Sequence, residues 1–73
     1  MDNIITVKVG PVPGRVTEYT MNGGEERTVR GALALASLSA DGYEIRLNGE
    51  AADMDTAVDD GDVVLLVKKI RGN

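Results

Sequence analysis

The chain has 73 residues with 12 acidic and 8 basic side chains, only two aromatic residues (both tyrosine), and neither cysteine nor histidine. This bounds one small domain with an aliphatic core, and it excludes disulfides, thiolate nucleophiles, histidine bases and Cys/His metal sites. A net charge of −4 argues against nucleic acid as a partner. No charged-then-apolar leader opens the chain and no apolar run approaches the roughly 20 residues that cross a bilayer, so a soluble, cytoplasmic protein is the expectation.

Ile5, Val7 and Val9 alternate with Ile4, Thr6 and Lys8, which predicts a first strand from Ile4 to Val9. Gly10-Pro11-Val12-Pro13-Gly14 carries two prolines that lack backbone donors and is expected to form a loop. Arg15 to Met21 resumes a β-branched and aromatic pattern that completes a hairpin. After a second loop, Asn22 to Glu26, Thr28 is placed as the N-cap of a helix. Val29, Ala32, Leu33, Ala36 and Ala40, widened by Leu35 and Leu38, follow the helical repeat. The helix is therefore expected to end at Asp41-Gly42, where glycine supplies a left-handed cap. Gly31 in its first turn costs about 0.8 to 1 kcal/mol relative to alanine, a cost that close approach to the sheet would explain.

Tyr43 to Leu47 reads as a third strand, with Glu44 and Arg46 on the face opposite Tyr43, Ile45 and Leu47. Asn48-Gly49 is a tight-turn signal, and Glu50 to Ala52 is a short returning strand at an edge. Met54 to Val58 is expected to form one irregular helical turn, and Asp60-Gly61 another tight turn. Val63 to Val67 is apolar on both faces, as a central strand covered on both sides would be. The order strand, strand, helix, strand, short strand, strand predicts an α+β β-grasp fold: a mixed sheet of four to five strands on one helix, spanning 1–67, with a flexible tail over 68–73.

Thr28-Val-Arg-Gly-Ala-Leu33, Leu47-Asn-Gly-Glu50 and Asp60-Gly-Asp-Val-Val64 carry a resemblance over nearly the whole chain. The chain resembles the ubiquitin-like sulfur-carrier proteins of thiamin and molybdopterin biosynthesis and the archaeal ubiquitin-like modifiers. Similar segments occur in regulatory TGS domains of the same fold, so these motifs speak to fold first. The resemblance implies a protein that is not an enzyme and binds no cofactor. Its C-terminal tail would be adenylated by an E1-like partner enzyme that consumes ATP, before sulfur transfer or amide formation. Such tails end in Gly-Gly. Here Gly72 matches the penultimate glycine, while Asn73 stands where the terminal glycine belongs. Removal of Asn73, a partner adapted to Gly-Asn, or loss of the carrier role would each account for the difference. The alternative is a β-grasp interaction module without covalent chemistry. A monomer is expected.

Residues 41–62 hold eight acids against Arg46, whereas Lys68, Lys69 and Arg71 leave the tail basic. These three cations are candidates for docking the tail on an acidic partner; a solvated tail that blocks edge aggregation is the plainer reading. The acidic run Asp53 to Asp62 fails the EF-hand spacing and reads as turn chemistry. Gly10–Gly14 and Gly23-Gly24 lack phosphate-binding fingerprints. Ser37 and Ser39 have no activating base. Tyr19 and Tyr43 are either interface anchors or packed against the sheet. Candidates on the free sheet face are Thr6, Lys8, Glu44, Arg46 and Lys68.

Overall fold

The computed structural model describes residues 4–22 and 26–69. Among them the chain forms β1 (Ile5–Val12), β2 (Thr17–Met21), α1 (Val29–Ala36), β3 (Tyr43–Leu47), β4 (Glu50–Ala52) and β5 (Val63–Lys68). The sheet order is β2-β1-β5-β3-β4, with β5 parallel to β1 and the other neighbours antiparallel. This is the expected α+β β-grasp arrangement. No described helix is long and apolar enough to cross a membrane.

The alternation read in the first strand determines where the core lies. Ile5, Val7 and Val9 of β1 join Met21, Ile45, Val64 and Leu66 from the other strands against Val29, Ala32 and Leu33 of α1. Thr28 caps the helix as expected: its Oγ1 accepts the Gly31 N–H at 3.3 Å. The Asn48-Gly49 turn also forms, with Asn48 at φ 53.

Four local expectations are corrected. First, β1 continues through Gly10, Pro11 and Val12, because these residues pair in parallel with Leu65, Leu66 and Val67. Its pairing with β2 ends at Val9–Thr17, so Pro11 lies where β1 has a strand on one side only and its missing N–H is tolerated. The Val12–Pro13 peptide bond is cis. Second, the helix stops at Ala36, four residues short of Ala40. Ser37 turns left-handed (φ 57), and its N–H and that of Leu38 donate to Ala34 and Leu33 carbonyls. Leu38 then packs against the core, completing a Schellman-type stop. Third, the approach that excludes a side chain at Gly31 comes mainly from the preceding loop. A Cβ there would overlap the Glu26 carbonyl oxygen, and Met21 of β2 is the next neighbour at 3.3 Å. Fourth, Met54 to Val58 forms no helical turn. It makes a turn closed by Thr56 N–H on the Asp53 carbonyl, and an isolated bridge joins Ala57 to Thr28.

The acidic run makes turns. Asp60 Oδ1 accepts the Thr6 N–H at 2.8 Å, and Asp62 Oδ2 accepts the Asp59 N–H at 2.7 Å. Asp62 Oδ1 also accepts from Asn48 Nδ2 at 3.0 Å, while Asn48 Oδ1 accepts the Val63 N–H at 2.9 Å. These carboxylates tie the start of β5 to β1 and to the β3–β4 turn. Among the described residues, no acidic group is arranged to hold a metal ion.

Candidate functional site

β5 was expected to be covered on both sides, but α1 covers only one face of the sheet. Val64 and Leu66 are fully buried beneath it, while Val63, Leu65 and Val67 point to the other face and are half-buried. The register puts Lys8, Gly10 and Val12 of β1 beside these three residues, and Glu44 and Arg46 beside Val67 and Leu65. The open face is thus an apolar stripe of Val12, Val63, Leu65 and Val67 with charged flanks. Thr6 and Lys8 lie on one side, and the Glu44–Arg46 pair, at 2.8 Å, lies on the other.

Gly10 shapes this face. A Cβ at Gly10 would overlap the Arg15 carbonyl oxygen and press on Val16 Cα, so the missing side chain lets the β1–β2 loop fold down over the sheet. That loop leaves Val16 39 % exposed, close to the 38 % of Val12. Two isolated valines mean little, but together with the β5 stripe they make a continuous apolar surface of the kind partners cover.

Thr6, Lys8, Glu44 and Arg46 share the open face as proposed from the sequence. Lys68 does not. It pairs with Tyr43 and alternates with Val67, which places it on the helix side at the end of β5. Lys69 follows, its N–H donating to the Gly42 carbonyl at 3.2 Å. Both lysines are exposed and make no ion pair with a described residue. A surface groove of about 280 Å³ lies beside them, lined by Tyr43, Glu44, Ile45, Ala52, Asp53, Met54 and Lys69. Arg71, Gly72 and Asn73 lie outside the described residues. Tyr19 and Tyr43 both pack partly against the core.

Sequence reasoning missed Leu65, Val67 and Val12 as surface residues. The missing signal was a count: one helix covers one face of a five-stranded sheet, so a strand apolar on both faces must leave one of them open. It also missed Arg27, whose Nε and Nη2 are buried and make no hydrogen bond among the described residues.

No family model matches the chain, and no curated protein does. Solved structures do. Small archaeal modifier protein 1 of H. volcanii superposes with a TM-score of 0.66 at 22 % identity, over 90 % of this chain and 99 % of that one. A chain from the complex of subunits 1 and 2 of molybdopterin-converting factor of Helicobacter pylori gives 0.67 at 20 % identity, over 94 % and 100 %. The ubiquitin of Caldiarchaeum subterraneum gives 0.57 at 20 % identity, over 97 % and 100 %. The chain has the ubiquitin-like β-grasp fold.

Proposed function

We propose that this protein is a small ubiquitin-like sulfur carrier or protein modifier that works through its C-terminal tail. The observation that carries the reading is the position of β5. The most central strand of the sheet ends at Lys68 beside an apolar open face, so one partner could hold the face and receive the tail beyond Lys69. The fold shared with a small archaeal modifier and with a chain of a molybdopterin-converting factor complex supports the same role.

In this reading an adenylating, E1-like enzyme docks on Leu65, Val67 and their neighbours, with Lys8 and Arg46 orienting it. Lys68, Lys69 and Arg71 steer the tail toward an acidic channel. ATP is consumed by that enzyme: the terminal carboxylate attacks the α-phosphate and pyrophosphate leaves, then a sulfur nucleophile or an amine attacks the acyl carbon of the adenylate and AMP leaves. Gly72 is the reactive or near-reactive residue, and Asn73 is either removed first or accommodated. Burying the apolar stripe would supply affinity, while the tail's cations would mainly set encounter rate and orientation.

The test is the intact mass of the protein purified from its own host, together with a Gly72→Trp variant. Loss of Asn73, a terminal thiocarboxylate or a covalent conjugate is expected, and each should vanish in the variant. A second reading, a β-grasp interaction module without tail chemistry, is favoured by the apolar open face. An unmodified mass, with partner capture that survives deletion of Gly72 and Asn73, would select it.

A further inference from the structure

Of the two outer strands, β4 is three residues long and turns away at Asp53, whereas β2 offers five residues with no described residue paired on its outer side. The register shows which backbone groups are free there. Thr6 and Lys8 direct theirs toward β5: the Lys8 N–H donates to Asp62 and the Thr6 carbonyl accepts from Gly61. Successive strand residues point these groups to opposite sides. Ile5, Val7 and Val9 therefore bond β2 through Met21, Tyr19 and Thr17. Glu18 and Thr20 turn their N–H and C=O outward, and both residues are exposed.

The helix adds a second element to this edge. Arg30 reaches away from β2 to Asp55, at 2.9 Å, and its N–H donates to the Met54 carbonyl. Leu35 lies well round the helix from Arg30, with Gly31 and Ala34 between the two, and Gly31 is next to Met21. Gly31, Ala34 and Leu35 line a shallow groove of about 330 Å³ with Glu26, and Leu35 is 38 % exposed. An open strand edge and an apolar helix flank thus lie side by side.

We infer that this edge pairs with the same edge of a second copy of the chain, β2 antiparallel to β2, about a two-fold axis at Tyr19. Only residues with outward-facing groups can exchange hydrogen bonds, so within β2 Glu18 must oppose Glu18 or Thr20 of the other copy. The first register sets like charges directly opposite and loses overlap. The second aligns all five residues of β2, pairs each Glu18 with Thr20, and brings the two Tyr19 side chains together on the helix face. The axis stands perpendicular to the sheet, so both helices lie on one face with their Leu35 flanks turned toward each other. β2 also carries no lysine or proline, the residues that commonly guard an edge. Such a dimer departs from the monomer expected from the sequence and does not depend on tail chemistry.

Sedimentation equilibrium and concentration-dependent amide NMR test it. The wild-type chain should dimerise, with the amides of Glu18 and Thr20 shifting as concentration rises. Thr20→Glu places two Glu–Glu pairs across the axis and should weaken the dimer roughly tenfold. Thr20→Lys should tighten it, and the Glu18→Lys/Thr20→Glu double variant should restore it. All three variants alter exposed side chains, and far-UV circular dichroism confirms their fold. A chain that stays monomeric, a dimer indifferent to the charge at position 20, or edge amides that respond only to a different host protein would each overturn the inference.

Discussion

Gly31→Ala gives the most direct check of the packing around the helix, because helix propensity and tertiary structure predict opposite signs. Propensity alone makes alanine better by about 0.8 to 1 kcal/mol. In the folded chain, however, the new methyl group overlaps the Glu26 carbonyl oxygen, lies 3.1 Å from the Glu26 carbonyl carbon and 3.3 Å from Met21 Cε. Met21 is a flexible side chain and can yield. The Glu26 backbone cannot easily do so, because the next residues are tied down: the Arg27 carbonyl accepts the Val58 N–H at 3.0 Å, and the Val29 N–H donates to Thr56 at 2.9 Å. Overpacking costs about 1 to 3 kcal/mol, and contact with fixed backbone belongs at the upper end. The net loss is then about 2 kcal/mol, which for a domain this small lowers the melting temperature by roughly 8 to 16 °C. Total stability at this length is about 4 to 11 kcal/mol, so the variant should still fold. Urea and thermal unfolding followed by far-UV circular dichroism measure the difference. A Gly31→Ala protein as stable as wild type, or more so, would refute the reasoning. Gly42→Ala is the control: nothing lies within 4 Å of its Cβ position, and its φ of +84 predicts a loss of only about 1 to 2 kcal/mol.

Two neighbouring leucines should separate folding from docking. Leu66 is 1 % exposed in the core, so Leu66→Ala should cost about 2 to 5 kcal/mol, read by denaturant titration. Leu65→Ser on the open face should shift stability much less while weakening capture of a partner enzyme, measured by calorimetry with wild-type protein as reference. Thr28→Ala removes the N-cap and should cost about 1 kcal/mol, visible as a lower urea midpoint with an unchanged slope. Lys68→Glu/Lys69→Glu should slow partner association in low salt, with the difference shrinking as salt rises; stopped-flow mixing at several ionic strengths checks this.

Local signals survived from sequence to structure wherever one residue's chemistry decides the outcome. The Thr28 cap and the Asn48-Gly49 turn belong to that class, as does the central place of the uniformly apolar final strand. The helix end did not, because Asp41-Gly42 is the stronger local stop signal. Ser37 takes the left-handed position because Leu38 gains contact with the core, a tertiary preference that no local pattern records. Pro11 argued for a loop until parallel pairing with Leu66 drew it into β1. For the candidate site, alternation correctly grouped Thr6, Lys8, Glu44 and Arg46. The side on which Lys68 falls required knowing that β5 continues one residue past Val67. The apolar stripe was hidden because burial on two faces and burial on one produce the same run of valines and leucines.

The parallel pairing of β1 and β5 also sets how the molecule would respond to mechanical load. The chain enters β1 at Ile5 and leaves β5 at Lys68, at opposite ends of two strands that run the same way. Tension between the termini therefore slides the strands along each other and loads their hydrogen bonds together, where an antiparallel pair pulled at its open end would peel one bond at a time. With β3 also clamped to β5 over its full length, traction on the tail meets resistance from both sides of the strand. Forced unfolding is governed by the unfolding rate, so the domain should withstand pulling from its C-terminus better than its small core would suggest.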